Sequence, residues 1–188
     1  MGQARVDQLL KEYDVAVEWC AFELHPGIPP EGMAVPWDPE KMAQARANFE
    51  RMARDAGLEF CERTHWYNSD LAHEATAWAR EHDAEDPFHR AIFRAYFVQN
   101  RNIGAPDVLA EIATALGLDA ADLRAALADR RYRDRVVAQY QEAREIGVTA
   151  VPTFVAEGYA IVGAQPYDVF RRLMAAAGQA PRATQGSE

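Results

Sequence analysis

Two cysteines in 188 residues, Cys20 and Cys61, leave the chain without a Cys-x-x-C pair and without the set of cysteines a disulfide framework needs. No apolar run approaches the roughly 20 residues that span a bilayer, and no signal peptide is visible. A cytoplasmic protein with no membrane partner is therefore expected. Basic charge is also short, with 20 Lys and Arg against 29 Asp and Glu and a formal net charge of −9. Such a surface repels polyanions, so nucleic acid is not expected as a partner either, and the acidity is read as an aid to solubility. Gly-x-Gly-x-x-Gly, Walker and Gly-x-Ser-x-Gly loops are all missing, as is any His-Glu-x-x-His or comparable ligand spacing, so no metal site is expected.

What the chain does contain is a regular succession of elements. Val6, Leu9, Leu10 and Tyr13 fall at helical spacing, and a strand rich in β-branched and aromatic residues is expected over Asp14–Leu24. His25 to Pro39 carries five prolines, which predicts an ordered loop. Helices are expected from Asp38 to Ala56, from Asn68 or Ser69 to about His82, and from Asp86-Pro87 to about Gln99. Others are expected from Pro106 to Leu116 and, capped by Asp119, as two helices reaching Ile146. Leu58 to Thr64 reads as a short extended piece. The pattern then changes to strands over Val151–Val155 and Tyr159–Val162, joined at Ala156-Glu157-Gly158, with a last helix from Pro166 to near Gly178. Residues 180–188 read as a frayed tail.

Several segments together resemble the DsbA-like thioredoxin superfamily, in particular the FrnE-like subgroup of DsbA oxidoreductases. They are Val17-Glu18-Trp19 with Phe22-Glu23-Leu24-His25-Pro26, Ile28-Pro29-Pro30-Glu31-Gly32, and Thr64-His65 with Tyr67-Asn68-Ser69. Further on come Phe88-His89-Arg90-Ala91, Phe93-Arg94-Ala95-Tyr96-Phe97 and Asn102-Ile103-Gly104. The clearest is Gly147-Val148-Thr149-Ala150-Val151-Pro152-Thr153-Phe154, continued by Val162-Gly163-Ala164-Gln165-Pro166-Tyr167, which is similar to the cis-proline loop of thioredoxin-like proteins. The resemblance implies an α/β fold of thioredoxin-like, DsbA type. Residues 1–37 and 147–178 would form the core, 38–146 a large helical insertion, and 179–188 a flexible tail. On that template the first strand and the Cys-x-x-C motif are absent from this chain.

The chemistry implied by the resemblance is thiol–disulfide exchange with protein or peptide thiols and disulfides. In such enzymes one cysteine sits at a helix N-terminus, where the dipole stabilises a thiolate, and a second resolves the mixed disulfide. With neither present, no catalytic residue is assigned and the chain is expected to be inactive as it stands. Val151 and Pro152 are the candidate substrate-binding residues, with a cis bond expected between them, although proline at a strand's first residue is also an ordinary boundary. No cofactor is expected, except glutathione under an alternative reading as a glutathione-dependent isomerase or transferase of the same superfamily. A non-catalytic peptide-binding module is the other alternative. Cys20 is expected to be a buried, inert thiol. Cys61, between Glu59, Glu62 and Arg63, is open as to reactivity. The tryptophans, Trp19, Trp37, Trp66 and Trp78, are read as packing residues. A sheet lacking its first strand exposes edges, so a start codon placed too late is expected first, strand donation in a homodimer second, with closure of the gap by repacking as the third route.

Overall fold

The computed structural model describes residues 2–35, 47, 50, 51, 53, 54, 57, 59, 61 and 65–183. Most of the helix expected over Asp38–Ala56, most of the extended piece after it and Trp37 lie outside these residues. The chain divides into two compact units, Met1–Cys20 with Ile146–Glu188, and Ala21–Glu145.

The first unit pairs the two ends of the chain. Helix α1 (Gly2–Glu12) buries Val6 and Leu9 one turn apart on a single face. Much later come strands β3 (Thr153–Ala156) and β4 (Tyr159–Val162), antiparallel with Phe154 opposite Ile161 and Ala156 opposite Tyr159. Their two-residue loop, Glu157-Gly158, has positive φ at both positions (46° and 81°), the turn whose twist matches that of the strands. Helix α7 (Tyr167–Ala176) follows Pro166 and buries Phe170, Leu173 and Met174. These three close over Leu9, Tyr13 and Ile161 to make one apolar cluster. At the rim Arg171 holds both oxygens of Glu12 and lies over the Tyr167 ring.

Two expectations fail in this unit. Asp14–Leu24 forms no strand; of these residues Ala16, Val17, Glu18 and Cys20 are exposed rather than packed between helices. β-Propensity describes how well a side chain fits a pleated, partnered surface, and among the described residues no strand pairs with this segment. The segment that was to fray is also tied down as far as it is described. Pro181 bridges Tyr13, and the Arg182 N–H donates to the Glu12 carbonyl at 2.7 Å.

The second unit is helical. Helices α2 (Asp70–Arg80), α3 (Glu85–Phe97), α4 (Pro106–Ala115), α5 (Ala120–Ala128) and α6 (Arg133–Glu145) follow the expected order. Their starts are set by local chemistry. Asn68 Oδ1 accepts from the Asp70 N–H at 2.9 Å, so Asn68 rather than Ser69 supplies the side-chain bond at the head of α2. Asp119 Oδ1 accepts from Ala121 and Asp122 at the head of α5, and Pro106 occupies the first turn of α4. Trp78, Phe88, Leu109 and Leu123 are each wholly buried where α2, α3, α4 and α5 meet. A two-residue ladder, β1 (Met33–Ala34) with β2 (His65–Trp66), pairs Met33 with Trp66. It interrupts the loop expected to hold no regular structure, because residues 31–35 are the proline-free part of that loop. No helix among the described residues is long and apolar enough to cross a membrane.

All five histidines meet aromatic rings rather than one another's ligand sphere. His25 stacks on Trp66 at 4.6 Å, His65 on Tyr67 and His89 on Phe93, His82 lies tilted against Trp78, and His73 meets Tyr140 edge-on. Burial pushes both His73 and His89 down to about 4 from the ordinary 6.5, against the opposing pull of Asp70 on the first and Asp86 on the second. Between those values the unfolded chain binds protons that the folded chain refuses. Stability is then complete above pH 6.5 and falls as pH drops toward 4. Urea midpoints at about pH 7 and about pH 5 should differ in that sense, and a His73→Asn, His89→Asn double variant should flatten the slope. Equal slopes in the two proteins would discard the assignment.

Candidate functional site

The candidate site is built where helix α6 hands over to β3. Gly147, with φ at 82°, turns the chain out of the helix, a backbone conformation that favours glycine at this point. Val148 to Ala150 continue without regular structure, and the Val151–Pro152 peptide bond is cis. Two bonds fix the loop on the β3 side. Thr153 Oγ1 donates back to the Ala150 carbonyl at 2.7 Å, and the Pro152 carbonyl accepts from the Gly163 N–H at 2.7 Å, extending the hairpin ladder by one step. Gly163 is in turn set by Gln165, whose backbone N–H donates to the Gly163 carbonyl and whose side-chain amide donates to the Val162 carbonyl. Arg5 of α1 then donates to the Gln165 carbonyl at 3.0 Å.

The other wall is the start of α1. A Cβ placed on Gly2 would lie 3.1 Å from Pro152 Cγ and 3.4 Å from Phe154 Cζ, so the helix begins against the proline ring. The residues presented there are Gly2, Gln3, Ala4 and Arg5, none of them a thiol. Val151 is left facing outward, about half exposed, and among the described residues nothing takes its backbone N–H or C=O. What this arrangement offers chemically is one residue whose backbone donor and acceptor have no partner among the described residues, next to a fixed turn. Val155 and Val162 add exposed apolar surface on the hairpin beyond it.

The family profile of the DsbA-like thioredoxin domain matches this chain over residues 1–175. The chain belongs to the DsbA-like thioredoxin domain family. The Bacillus subtilis (strain 168) protein YwbO is similar, at 34% identity over 175 residues that make up 92% of this chain and 87% of that protein. A Streptomyces coelicolor protein described as a probable DsbA oxidoreductase superposes with a TM-score of 0.85 at 29% identity, covering all of this chain and 86% of its own. A 2-hydroxychromene-2-carboxylate isomerase shares the fold, with a TM-score of 0.74 at 18% identity over 94% of this chain and 87% of its own. The fold class is therefore the mixed α/β one of DsbA-like thioredoxin proteins, with the helical block within it.

For this DsbA-like chain one of the two cysteines departs from expectation. Cys20 is exposed, not buried, because among the described residues no strand pairs with the segment carrying it. Cys61 is partly buried, and its backbone N–H donates to the Phe97 carbonyl at 2.8 Å. Neither cysteine is in a disulfide. Among the described residues no three His, Cys, Asp or Glu side chains come close enough to hold a metal ion.

Sequence reasoning passed over Glu74. It lies in the apolar stripe of α2 with Leu71, Ala75 and Trp78, and a carboxylate in that register is a signal for burial against a partner. Glu74 is 1% exposed and held by Arg130, from outside its helix.

Proposed function

We propose that this chain is the substrate-binding body of a DsbA-like thiol–disulfide oxidoreductase, with Val151 and Pro152 receiving an extended protein or peptide segment that carries a thiol or disulfide. The observation that supports this reading is the outward, half-exposed Val151, whose backbone N–H and C=O have no partner among the described residues. A substrate backbone laid antiparallel beside it would satisfy both groups, while the neighbouring apolar side chains would grip alternate residues of the substrate. The resemblance to the Streptomyces coelicolor protein adds to the case for redox substrates in particular. The 188 residues hold no Cys-x-x-C, so in this reading they bind but do not exchange electrons. We place the protein in the cytoplasm, without a resident cofactor. Glutathione, a tripeptide with one thiol, is the simplest ligand the same edge would accept.

Two measurements test the reading. Insulin reduction by dithiothreitol should run at the uncatalysed rate when this chain is added; a catalysed rate would overturn the reading that it binds without exchanging electrons. An unfolded, carboxymethylated peptide titrated into ¹⁵N-labelled protein should shift the amide resonances of Val151, Thr153 and Gly163. Shifts that leave those three amides unmoved would place peptide binding elsewhere.

A further inference from the structure

Within the Ala21–Glu145 unit, a cavity of about 230 Å³ is lined by Glu23, Asp70, Glu74, Arg133, Val137 and Tyr140, together with neighbouring residues of α6. Its charges are sorted by depth. Glu74, the buried one, accepts at Oε1 from both Nε (2.9 Å) and Nη2 (2.5 Å) of Arg130. Its Oε2 is buried and has no hydrogen-bond partner among the described residues. A buried carboxylate oxygen left without a donor is uncommon, because native structures satisfy nearly all such atoms. Asp70 stands nearby and accepts from the Tyr140 hydroxyl at 3.1 Å. The exposed residues carry the opposite sign. Arg133 has no side-chain partner among the described residues, and Arg144 is held only loosely by Glu23 at 3.4 Å. Val136 and Val137 supply apolar wall on α6.

The cavity thus asks for a donor-rich cation at its acidic floor, an anion at its basic rim and an aliphatic group beside the valines. Phosphorylated ligands are disfavoured by three carboxylates among the lining residues. A bare metal ion is disfavoured because those carboxylates do not converge on one point. Its size is below that of ordinary drug-sized pockets, so the occupant is small. We propose that this cavity binds a free aliphatic α-amino acid, the ammonium donating to Glu74 Oε2 and the carboxylate meeting Arg133. The proposal does not depend on the Val151–Pro152 reading, since every residue it uses lies in the other unit.

Calorimetric titration of the full chain with L-valine and L-leucine tests it, set against N-acetyl-L-leucine, which lacks the ammonium, and L-leucinamide, which lacks the carboxylate. At least one of the two amino acids should bind with a Kd of millimolar order or tighter, and each blocked derivative should bind at least about tenfold more weakly. Arg133→Ala should weaken leucine by a similar factor while leaving leucinamide unchanged, and being a surface substitution it leaves the core intact. Glu74→Gln, checked for folding by circular dichroism, should abolish binding. Absence of heat with both amino acids up to about 10 mM would overturn the proposal, as would leucine binding that survives both N-acetylation and Arg133→Ala.

Discussion

Trp78→Ala should lower the unfolding free energy by about 4 kcal/mol, measured as the shift of the urea midpoint at constant slope. Trp78 is wholly buried at the centre of the helical unit, edge-on to Phe88 at 6.2 Å and beneath His82 at 4.2 Å. Truncation removes the apolar burial of an indole and leaves a cavity among Phe88, Leu123 and their neighbours, which rigid helices cannot fully collapse to fill. It also removes the Nε1–H bond to Asp122 Oδ2 at 2.6 Å, the leading reason that this carboxyl sits below its usual range. Trp78→Phe separates the two contributions, because it keeps most of the packing and loses the bond. Asp122 then retains Arg131 at 3.2 Å, so the phenylalanine variant should be clearly the milder of the two. Equal losses for the two variants would assign the stability to the hydrogen bond and contradict the packing argument.

Arg130→Ala should cost about 3 kcal/mol, an effect out of proportion to a side chain that is 43% exposed. The reason lies with its partner. Glu74 is 1% exposed, and without the guanidinium its charge would be left in the core with neither oxygen satisfied. The solvent exposure of Arg130 screens part of the attraction, which is why the lower end of the range for broken buried pairs applies. Removing both charges avoids that penalty. The double variant Glu74→Met, Arg130→Ala should recover most of the loss, since an apolar side chain of similar length fills the position without demanding a partner. A double variant no more stable than Arg130→Ala would show that the cost comes from the backbone at residue 130, where φ is 52°, and not from the stranded carboxylate.

Much of the helical unit was legible because its signals are local. Pro106 and Asp119 announced their helices. The hairpin was equally readable, since Glu157-Gly158 fixes its loop and hence its register. The resemblance located the Val151–Pro152 loop, though not the contact of Gly2 with the proline ring, which depends on residues at opposite ends of the chain meeting. Misreadings arose where structure depends on a distant partner. Asp14–Leu24 has strand-forming side chains but no paired neighbour among the described residues, and Cys20 was misjudged with it. Pro181 meets Tyr13 and Arg130 meets Glu74 across separations that no periodicity encodes.

The pairing of α1 with α7 also has a consequence for synthesis on the ribosome. Helix Gly2–Glu12 is made well before the residues that close over it, Ile161, Phe170, Leu173 and Met174. At about 5–20 residues per second the interval is on the order of ten seconds. A helix of 11 residues is marginal in water by itself, so Leu9 and Tyr13 wait in solvent while the whole helical unit emerges and can pack ahead of them. This early-made helix is thus among the last elements to find its place, and through that interval its apolar face is open to chaperones.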